Sequence, residues 1–188
     1  LREERFRPDL SGMAAAITKR TKAIVMVHPN NPTGTFVRED DAVEIEALAE
    51  RHGLALIVDE VFVDYPLGER PALAVPSFVT RHAVLTFVLN GLSKVLAMPQ
   101  VKLGWMVLGG PSELVEQARQ RLEVIADTYL SVGTPVQRAL PALLAARPTI
   151  QTRIAERLRM NLAAIDARLA KLDTPVRRLP TEGGWYAI

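Results

Sequence analysis

The sequence predicts an α/β protein whose mostly parallel sheet is flanked by helices. Ala23–Val27, Glu39–His52 and Leu54–Val58 follow one another as strand, helix and strand, which is the pattern of a βαβ unit. Both predicted strands are unbroken apolar runs, typical of parallel strands that are covered on both faces. Ala83–Leu89 and Leu103–Leu108 have the same character and add two more strands to the predicted sheet.

The predicted helix between the first two strands has clear signals at both ends. Glu39, Asp40 and Asp41 fall in its first turn, where the helix dipole stabilises acidic side chains. Gly53 follows its last turn, and glycine readily adopts the left-handed conformation that ends a helix. These signals indicate a crossover helix of ordinary length.

The second half of the chain is predicted to be mainly helical. Pro111–Leu130 is predicted to form one helix with Ser112 as its N-cap, and Thr134–Ala146 to form another. Pro148–Leu172 is rich in Arg and Leu and has the amphipathic pattern of a long helix. This last helix is expected to leave the sheet domain.

After the long helix the pattern returns to short apolar segments. Val176–Leu179 and Trp185–Ile188 are predicted to be strands joined by Pro180–Gly184. The predicted organisation is part of a large domain over residues 1–147. It is followed, over residues 148–188, by a linking helix and the start of a truncated small α+β domain.

Composition excludes several classes of protein. The 23 basic and 21 acidic residues give a net charge of +2, without the concentrated basic excess of a nucleic-acid surface. No window approaches about 18 uninterrupted apolar residues, so no membrane span is expected, and the charged N-terminus lacks the apolar core of a signal peptide. The chain has no cysteine, which excludes disulfides and fits a cytoplasmic protein. No metal site is expected.

Polar residues follow three of the predicted strands. His28–Gly34 comes after the first, Asp59 and Glu60 end the second, and Asn90–Lys94 follows the third. In an open α/β sheet, ligands bind beyond the carboxyl ends of the strands. Taken singly, each segment has a structural interpretation as a turn, a helix cap or a solvated surface lysine. Their order at consecutive strand ends favours a functional site.

The groups collected in this way match the chemistry of pyridoxal phosphate (PLP). A lysine amine forms a Schiff base with an aldehyde cofactor. An aspartate beside the pyridine nitrogen keeps a proton there, which makes the ring an electron sink. An asparagine amide hydrogen-bonds the phenolic oxygen, and hydroxyls and cations hold the phosphate.

Four motifs in order resemble the fold-type-I aminotransferases of classes I and II. They are Pro29–Gly34, Asp59–Val61, Leu92–Lys94 and Lys102–Trp105, and the likeness extends along nearly the whole chain to Gly183-Gly184-Trp185. The resemblance implies the large PLP-binding domain of the type I fold, with the fourth strand antiparallel. It also implies a homodimer that uses PLP to move an amino group between an amino acid and a 2-oxo acid.

The same resemblance implies roles for individual residues. Lys94 is expected to be the Schiff-base lysine and proton shuttle, and Asp59 the partner of the pyridine nitrogen. Asn31 is expected to bind the phenolic oxygen. Ser93 and Lys102 lie in the segment that contacts the phosphate.

Several positions depart from the family pattern. Phe62 stands three residues after Asp59, where the family usually has a tyrosine whose hydroxyl contacts the phenolic oxygen. Lys102 replaces the usual arginine and keeps its charge but not its planar fork. Gly91 occupies a position often held by Ser or Thr, and Gln100 replaces a common glycine. Phe62 is thus expected beside the cofactor ring with no hydrogen bond to donate.

Other functions stay open at this point. A carbon–sulfur lyase or decarboxylase of the same fold would use the same cofactor with a different substrate orientation. An aminotransferase-like effector domain of a transcription regulator would bind PLP without turnover. The family's upstream phosphate-binding turn and downstream carboxylate-binding arginine cannot be assigned, so the chain is expected to be a piece of a protein of about double the length. Tyr65 is a candidate for the hydroxyl that Phe62 lacks.

Overall fold

The computed structural model describes residues 6–173 and 175–188, and its strands form a four-stranded mixed sheet. The strands are β1 (Ala23–Val27), β2 (Ala55–Asp59), β3 (Thr86–Gly91) and β4 (Gly104–Gly109), side by side in chain order. β1, β2 and β3 are parallel, and β4 runs antiparallel to β3. The predicted α/β fold with a mostly parallel sheet is confirmed.

The register of the strands brings the predicted site residues to one edge of the sheet. Asp59 pairs with Val27 on one side and with Leu89 on the other, so the parallel strands end at nearly the same level. The loops after Val27 and Asp59 and the turn after Gly91 therefore leave the sheet at one edge. This is the edge at which open α/β sheets bind their ligands.

Helices pack against the sheet and continue beyond it. The predicted long helix Pro148–Leu172 is confirmed, and in the structure it begins at Arg147 and ends at Leu169. Among the described residues, no helix has the length and apolar character that a membrane span requires. In chain order the helices are α1 (Leu10–Ala16), α2 (Glu39–His52), α3 (Leu92–Val95), α4 (Ser112–Thr128), α5 (Thr134–Ala145) and α6 (Arg147–Leu169), with 3₁₀ helices at Phe78–Thr80 and Pro99–Val101.

The end of α2 follows the sequence prediction, whereas the start of α4 does not. Gly53 is left-handed with φ 62°, and its N–H closes the last turn of α2. At α4 the N-cap is Pro111, and no side chain caps the first turn. The predicted cap at Ser112 is wrong because Ser112 is already a helical residue, so its hydroxyl is not placed to accept from the free N–H groups.

β2 and β4 each lie one residue later than predicted, and β3 and β1 differ in other ways. β3 begins at Thr86 and not at Ala83, because its ladder with β4 starts at the pair of Thr86 and Gly109. β1 is covered on one face and not on both. Ile24 is buried against α2, whereas Val25 on the opposite face is 69% exposed.

The predicted strands Val176–Leu179 and Trp185–Ile188 are not strands in the described part of the chain. A single backbone hydrogen bond of 2.7 Å joins their last residues. A strand needs a ladder of such bonds, and the intervening segment bonds elsewhere. The carbonyl of Glu182 and the N–H of Gly184 each form a 2.9 Å hydrogen bond with the loop that follows β2. The segment is therefore held at the sheet edge and not in a hairpin.

Two apolar clusters fix the elements around this edge. The first lies between α2 and the parallel strands, and its members Ile45 and Leu56 are fully buried. Burial of one such side chain contributes about 1.5–3 kcal/mol. The second cluster packs α3 against side chains of α5 and α6, so it positions the turn that carries Lys94. Its buried members are Leu92, Val95, Leu96 and Leu103.

Candidate active site

Lys94 lies on α3, directly after the carboxyl end of β3. The N–H of Leu92 donates to the carbonyl of Leu103 at 3.0 Å, which ties the start of α3 to the segment before β4. A Cβ on Gly91 would lie 3.0 Å from both the Leu103 carbonyl oxygen and the Cα of Gly104. This close approach of two backbones explains why glycine suits the position in this chain.

The Nζ atom of Lys94 faces two aromatic rings. It lies 5.7 Å from the ring centroid of Phe62 and 5.6 Å from that of Trp185. Such contacts stabilise an ammonium by about 0.5–1 kcal/mol at exposed sites and by more where water is excluded. Lys94 is half-buried, and no carboxylate pairs with it in the described residues. Its amine is therefore held in an aromatic setting without a neutralising partner.

Phe62 lies beside the lysine, in the segment that follows β2. Its side chain is 2% exposed. The rings of Trp185 and Tyr186 meet it edge-on, at centroid distances of 5.5 and 5.9 Å. Phe62 thus forms an apolar wall of the site and offers no hydrogen bond there.

Asp59 is the last residue of β2 and is half-buried. Its Oδ1 atom accepts a hydrogen bond of 3.0 Å from the N–H of Val61. A bond from an aspartate to the backbone two residues later fixes the orientation of the carboxylate at the start of a loop. Within the described residues, Asp59 has no ion pair, so its second oxygen is available to a ligand.

Asn31 lies at the tip of the loop after β1. The loop is closed by backbone hydrogen bonds from Asn30 to Thr35 at 2.9 Å and from Gly34 to Asn30 at 2.7 Å. The Asn30 side chain donates to the hydroxyl of Thr33 at 2.8 Å. Asn31 itself is exposed, and its amide has no partner among the residues that the structure describes.

Ser93 and Lys102 flank the contact between α3 and the segment before β4. Ser93 is half-buried on α3, while Lys102 is exposed and ends the 3₁₀ helix Pro99–Val101. Lys102 has φ 55°, a left-handed conformation that is uncommon for a residue with a side chain. Lys102 immediately precedes Leu103, whose carbonyl anchors the start of α3. The side chains of Ser93 and Lys102 therefore extend from neighbouring segments of the backbone.

The predicted site residues share an edge of the sheet but do not bond to one another. Of the predicted set, only Phe62 and Lys94 make a direct contact in the described residues. The amine, the carboxylate and the exposed amide are all without internal partners that would neutralise or occupy them. An amine for the aldehyde, a carboxylate for the ring nitrogen and an amide donor are the set that PLP requires. The residues present therefore fit this cofactor.

Two other polar residues near the edge serve the fold. Glu60 is 2% exposed and accepts hydrogen bonds from Ser77 at 2.7 Å and from the N–H of Phe78 at 2.6 Å. Burial raises the pKa of its carboxyl group. The hydroxyl of Tyr65 donates to the backbone carbonyl of Lys94 at 2.6 Å. Tyr65 is thus already engaged, so it does not supply the hydroxyl that Phe62 lacks.

Trp185 is the contact residue that sequence reasoning missed. Its ring meets Phe62 at 5.5 Å and Tyr65 at 5.2 Å and also faces Lys94. The Nε1 atom of Trp185 is buried without a hydrogen-bond partner in the described part of the chain. The signal that was available is the Gly183-Gly184 pair before it, because consecutive glycines indicate a close approach of backbones.

The C-terminal segment is held to the Asn31 loop by close contacts. Glu182 forms an ion pair with Arg38, and its Oε2 atom accepts a 3.0 Å hydrogen bond from the N–H of Phe36. A Cβ on Gly183 would lie 2.7 Å from the ring of Phe36. At Gly34, which has φ 72°, a Cβ would lie 2.5 Å from the carbonyl oxygen of Gly183. Neither glycine can be replaced without displacing one of the two segments.

Nearly the whole chain is similar to one family of known proteins. Residues 1–186 match the family described as aminotransferase class I and II. The chain is 34% identical over 139 residues to the glutamate-pyruvate aminotransferase of Escherichia coli K12. The aligned region covers 73% of this chain and 33% of that protein. The chain is also 32% identical over 150 residues to the S-alkyl-thiohydroximate lyase of Arabidopsis thaliana. That aligned region covers 77% of this chain and 31% of that protein.

A solved structure gives the same result for the fold. The alanine aminotransferase from Pyrococcus furiosus is similar with a TM-score of 0.83 and 28% identity, over 97% of this chain and 46% of that chain. The chain thus spans about a third of the length of these two curated relatives and less than half of the solved chain.

Proposed function

Because the chain belongs to the class I and II aminotransferase family, we propose that the full-length protein uses PLP to move an amino group between an amino acid and a 2-oxo acid. The observation that carries this proposal is the placement of Lys94 and Asp59 after two neighbouring parallel strands. They present an amine and a carboxylate that have no ion-pair partner in the described residues.

Lys94 has two tasks in this proposal. It would hold the cofactor through its amine, and its Nζ would carry a proton to and from the substrate. PLP itself, when bound, supplies an electron sink for the pair left on the substrate's α-carbon. The rings of Phe62 and Trp185 face the amine and limit the directions in which it can point.

Asp59 is proposed to keep a proton on the pyridine nitrogen. Its carboxylate is oriented by the N–H of Val61 and is half-buried, which strengthens its interaction with a positive ring. An amide in its place could donate a hydrogen bond to the unprotonated ring nitrogen but would not hold a positive charge there. Asp59 is therefore assigned to catalysis more than to cofactor affinity.

The remaining predicted residues are proposed to bind the cofactor's oxygen atoms. Asn31 offers its free amide to the phenolic oxygen. Ser93 and Lys102 offer a hydroxyl and a positive charge to the phosphate. Lys102 provides that charge as a single ammonium group, without the two-pronged contact that arginine would make.

The proposed substrates follow from one relative by analogy, and the proposed assembly follows from the family resemblance. The Escherichia coli relative is named for glutamate and pyruvate, so we propose glutamate as the first amino donor to assay and pyruvate as the first acceptor. The proposed assembly is a homodimer. Residues 1–147 are assigned to the large PLP-binding domain, and residues 148–188 to the linking helix and the start of the small domain.

A lyase of the same fold is the second candidate. The specific observation in its favour is the 32% identity to the S-alkyl-thiohydroximate lyase of Arabidopsis thaliana. A lyase would break a carbon–sulfur bond by elimination, so that the sulfur leaves as a thiol and the remaining amino-acid fragment reacts with water to give a 2-oxo acid and ammonia. It would need no added 2-oxo acid as a second substrate. An aminotransferase needs the 2-oxo acid to regenerate the cofactor, so the dependence of product formation on added pyruvate separates the two.

The decisive experiment locates the cofactor on the full-length protein. After borohydride reduction, peptide mapping is expected to find the pyridoxyl group on Lys94, and Lys94→Ala is expected to lose both the label and turnover. Lys19→Ala, which removes an exposed lysine, is the matched control and is expected to keep both. A label on another lysine would show that the assignment is wrong. Asp59→Asn is expected to keep the cofactor bound and to slow turnover severely.

A further inference from the structure

The turn that carries Lys94 does not provide hydrogen-bond donors for its own last backbone carbonyls. α3 has four residues, and the last carbonyls of a helix have no partner within it. Among the backbone groups that the structure describes, the N–H of Ala97 donates a long 3.4 Å bond to the carbonyl of Lys94. Within the described residues, the carbonyl of Val95 has no backbone partner. Side chains from elsewhere must hold this end of the turn.

Tyr65 provides the first of these bonds. Its hydroxyl donates to the Lys94 carbonyl at 2.6 Å and lies 3.4 Å from that of Val95. The side chain is 1% exposed, and its ring packs against Trp185. Burial, together with the charge of Asp64, raises the pKa of the Tyr65 hydroxyl to about 12, so it stays a donor throughout the neutral range. Tyr65 therefore fixes the backbone of the lysine from the β2 loop.

Gln151 provides the second bond, from the start of α6. Its Nε2 atom donates to the carbonyl of Val95 at 3.2 Å and to Asp64 at 2.9 Å. Asp64 also pairs with Arg147 at 2.6 Å, one turn earlier on the same helix. Both hydrogens of the Gln151 amide are thus used. The result is a network that joins α6, the β2 loop and the end of α3.

We propose that Tyr65 and Gln151 are positioning residues that set the direction of the Lys94 amine by capping the carbonyl end of its turn. This inference rests on the proposed function of Lys94. Nζ lies at the far end of a long side chain, so a small tilt of the turn moves Nζ more than it moves Cα, and the rings of Phe62 and Trp185 restrict the rotations that could compensate. Proton transfer needs donor and acceptor within about 2.6–3.2 Å, and a misplacement of about 1 Å costs up to a hundredfold in rate.

The test uses Tyr65→Phe in the full-length protein. The variant keeps the buried ring against Trp185 and removes only the hydroxyl. It is expected to lower kcat about five- to tenfold with KM for the amino acid unchanged, because proton transfer and not substrate binding is affected. With α-deuterated substrate, the primary isotope effect on kcat is expected to increase. Tyr129→Phe, at a side chain that is 79% exposed, is the matched control and is expected to change neither quantity.

Gln151→Leu is the second variant and leaves the aromatic packing around Tyr65 intact. It is expected to reproduce the loss of kcat in a smaller measure, whereas Gln120→Leu, an exposed glutamine bonded to Glu116, is expected to have no effect. Hydrogen exchange gives a readout that does not depend on turnover. In the cofactor-bound protein, backbone amides over residues 92–98 are expected to exchange faster in both variants than in the unmodified protein.

The possible outcomes separate the inference from the proposed function. If borohydride labels Lys94 in both variants and kcat, the isotope effect and exchange over residues 92–98 all stay at their unmodified values, Tyr65 and Gln151 do not position the lysine. Equal losses in thermal stability with unchanged kcat per labelled site would also overturn the proposal, because they indicate a purely structural role. If the unmodified protein carries no label on Lys94, the proposed function itself fails.

Discussion

His28 is a fully buried polar residue that follows β1 directly. Its Nδ1 atom accepts from the N–H of Val37 at 3.1 Å, and its Nε2–H donates to the carbonyl of Val75 at 2.9 Å. The rings of Phe36 and Phe78 enclose it edge-on at 5.3 and 5.4 Å. A second proton would point at the N–H of Val37, so the ring is held neutral. Burial lowers the pKa of His28 from 6.5 to about 4.

This depressed pKa predicts a loss of stability in acid. The unfolded chain takes up a proton on His28 near pH 6.5, and the folded protein does so only near pH 4. The free energy of unfolding is therefore expected to fall as the pH drops through this window, by about 3 kcal/mol in all. Urea unfolding of the full-length protein between pH 4 and pH 7.5 measures it.

Asparagine at this position removes the titration. His28→Asn is expected to be less stable at pH 7 and to lose this part of the pH dependence. His52→Asn, at an exposed position, is the control and is expected to keep it. The same slope in all three proteins would contradict the explanation.

In the proposed function, Phe62 is expected to influence a second pH-dependent property, the pKa of the lysine-bound cofactor. A tyrosine hydroxyl on the phenolic oxygen would stabilise its charged form and so lower the pKa of the lysine–cofactor adduct. Phe62 gives no such bond, and Tyr65 donates to the Lys94 carbonyl instead. Phe62→Tyr is therefore expected to lower that pKa by about one unit. The visible absorbance of the PLP-bound, full-length protein, titrated against pH, provides the measurement.

Phe87→Tyr is the control for this titration, since Phe87 lies within β3. It is expected to titrate like the unmodified protein. Coincident curves for Phe62→Tyr and the unmodified protein would mean that Phe62 does not lie beside the phenolic oxygen, or that another donor already binds there.

At the scale of elements, a helix or strand can be predicted from the sequence when its own residues determine where it begins and ends. α2 is 14 residues long, has acidic residues in its first turn and ends at a left-handed glycine, so both of its limits follow from its own sequence. α3 has four residues and depends on Tyr65 and Gln151 to complete its hydrogen bonds. The sequence marks α3 only through the Leu92–Lys94 motif. Nothing local indicates which side chains hold it.

The strands show the same division. The apolar run of β1 predicts its limits without error, because the run and the strand coincide. The start of β3 was predicted three residues too early, because its limit depends on the pairing with β4. The apolar segments Val176–Leu179 and Trp185–Ile188 have the composition of strands but lack a ladder, so the strand prediction fails there. Composition predicts which segments tend to form strands, and hydrogen-bonded pairing with a neighbour determines whether and where a strand forms.

At the scale of the whole molecule, the ion pair of Arg38 and Glu182 joins residues 144 positions apart. The side chains are 13% and 26% exposed, so the pair is screened by water far less than a surface pair. Glu182→Gln is expected to lower the free energy of unfolding by about 1–3 kcal/mol, because Arg38 would lose its charge partner. Faster proteolysis of residues 180–188 is expected to accompany this loss.

Glu116→Gln is the matched control for that substitution. It breaks an exposed pair with Arg119, in which both side chains are about half exposed. Such pairs contribute about 0–1 kcal/mol, so urea unfolding is expected to distinguish the two variants. Equal effects would show that the Glu182 pair does not hold the C-terminal segment.

The sequence by itself determined the order of the four strands and of the helices α2, α4, α5 and α6, the edge of the sheet at which polar residues collect, and the family motifs around Lys94. These features are local, because apolar periodicity, caps and short motifs act over neighbouring residues. The tertiary structure alone decided that Trp185 faces Lys94, that Tyr65 donates to its carbonyl and that Glu182 pairs with Arg38. These contacts join residues between 29 and 144 positions apart, and no local pattern specifies which distant side chain fills a given gap.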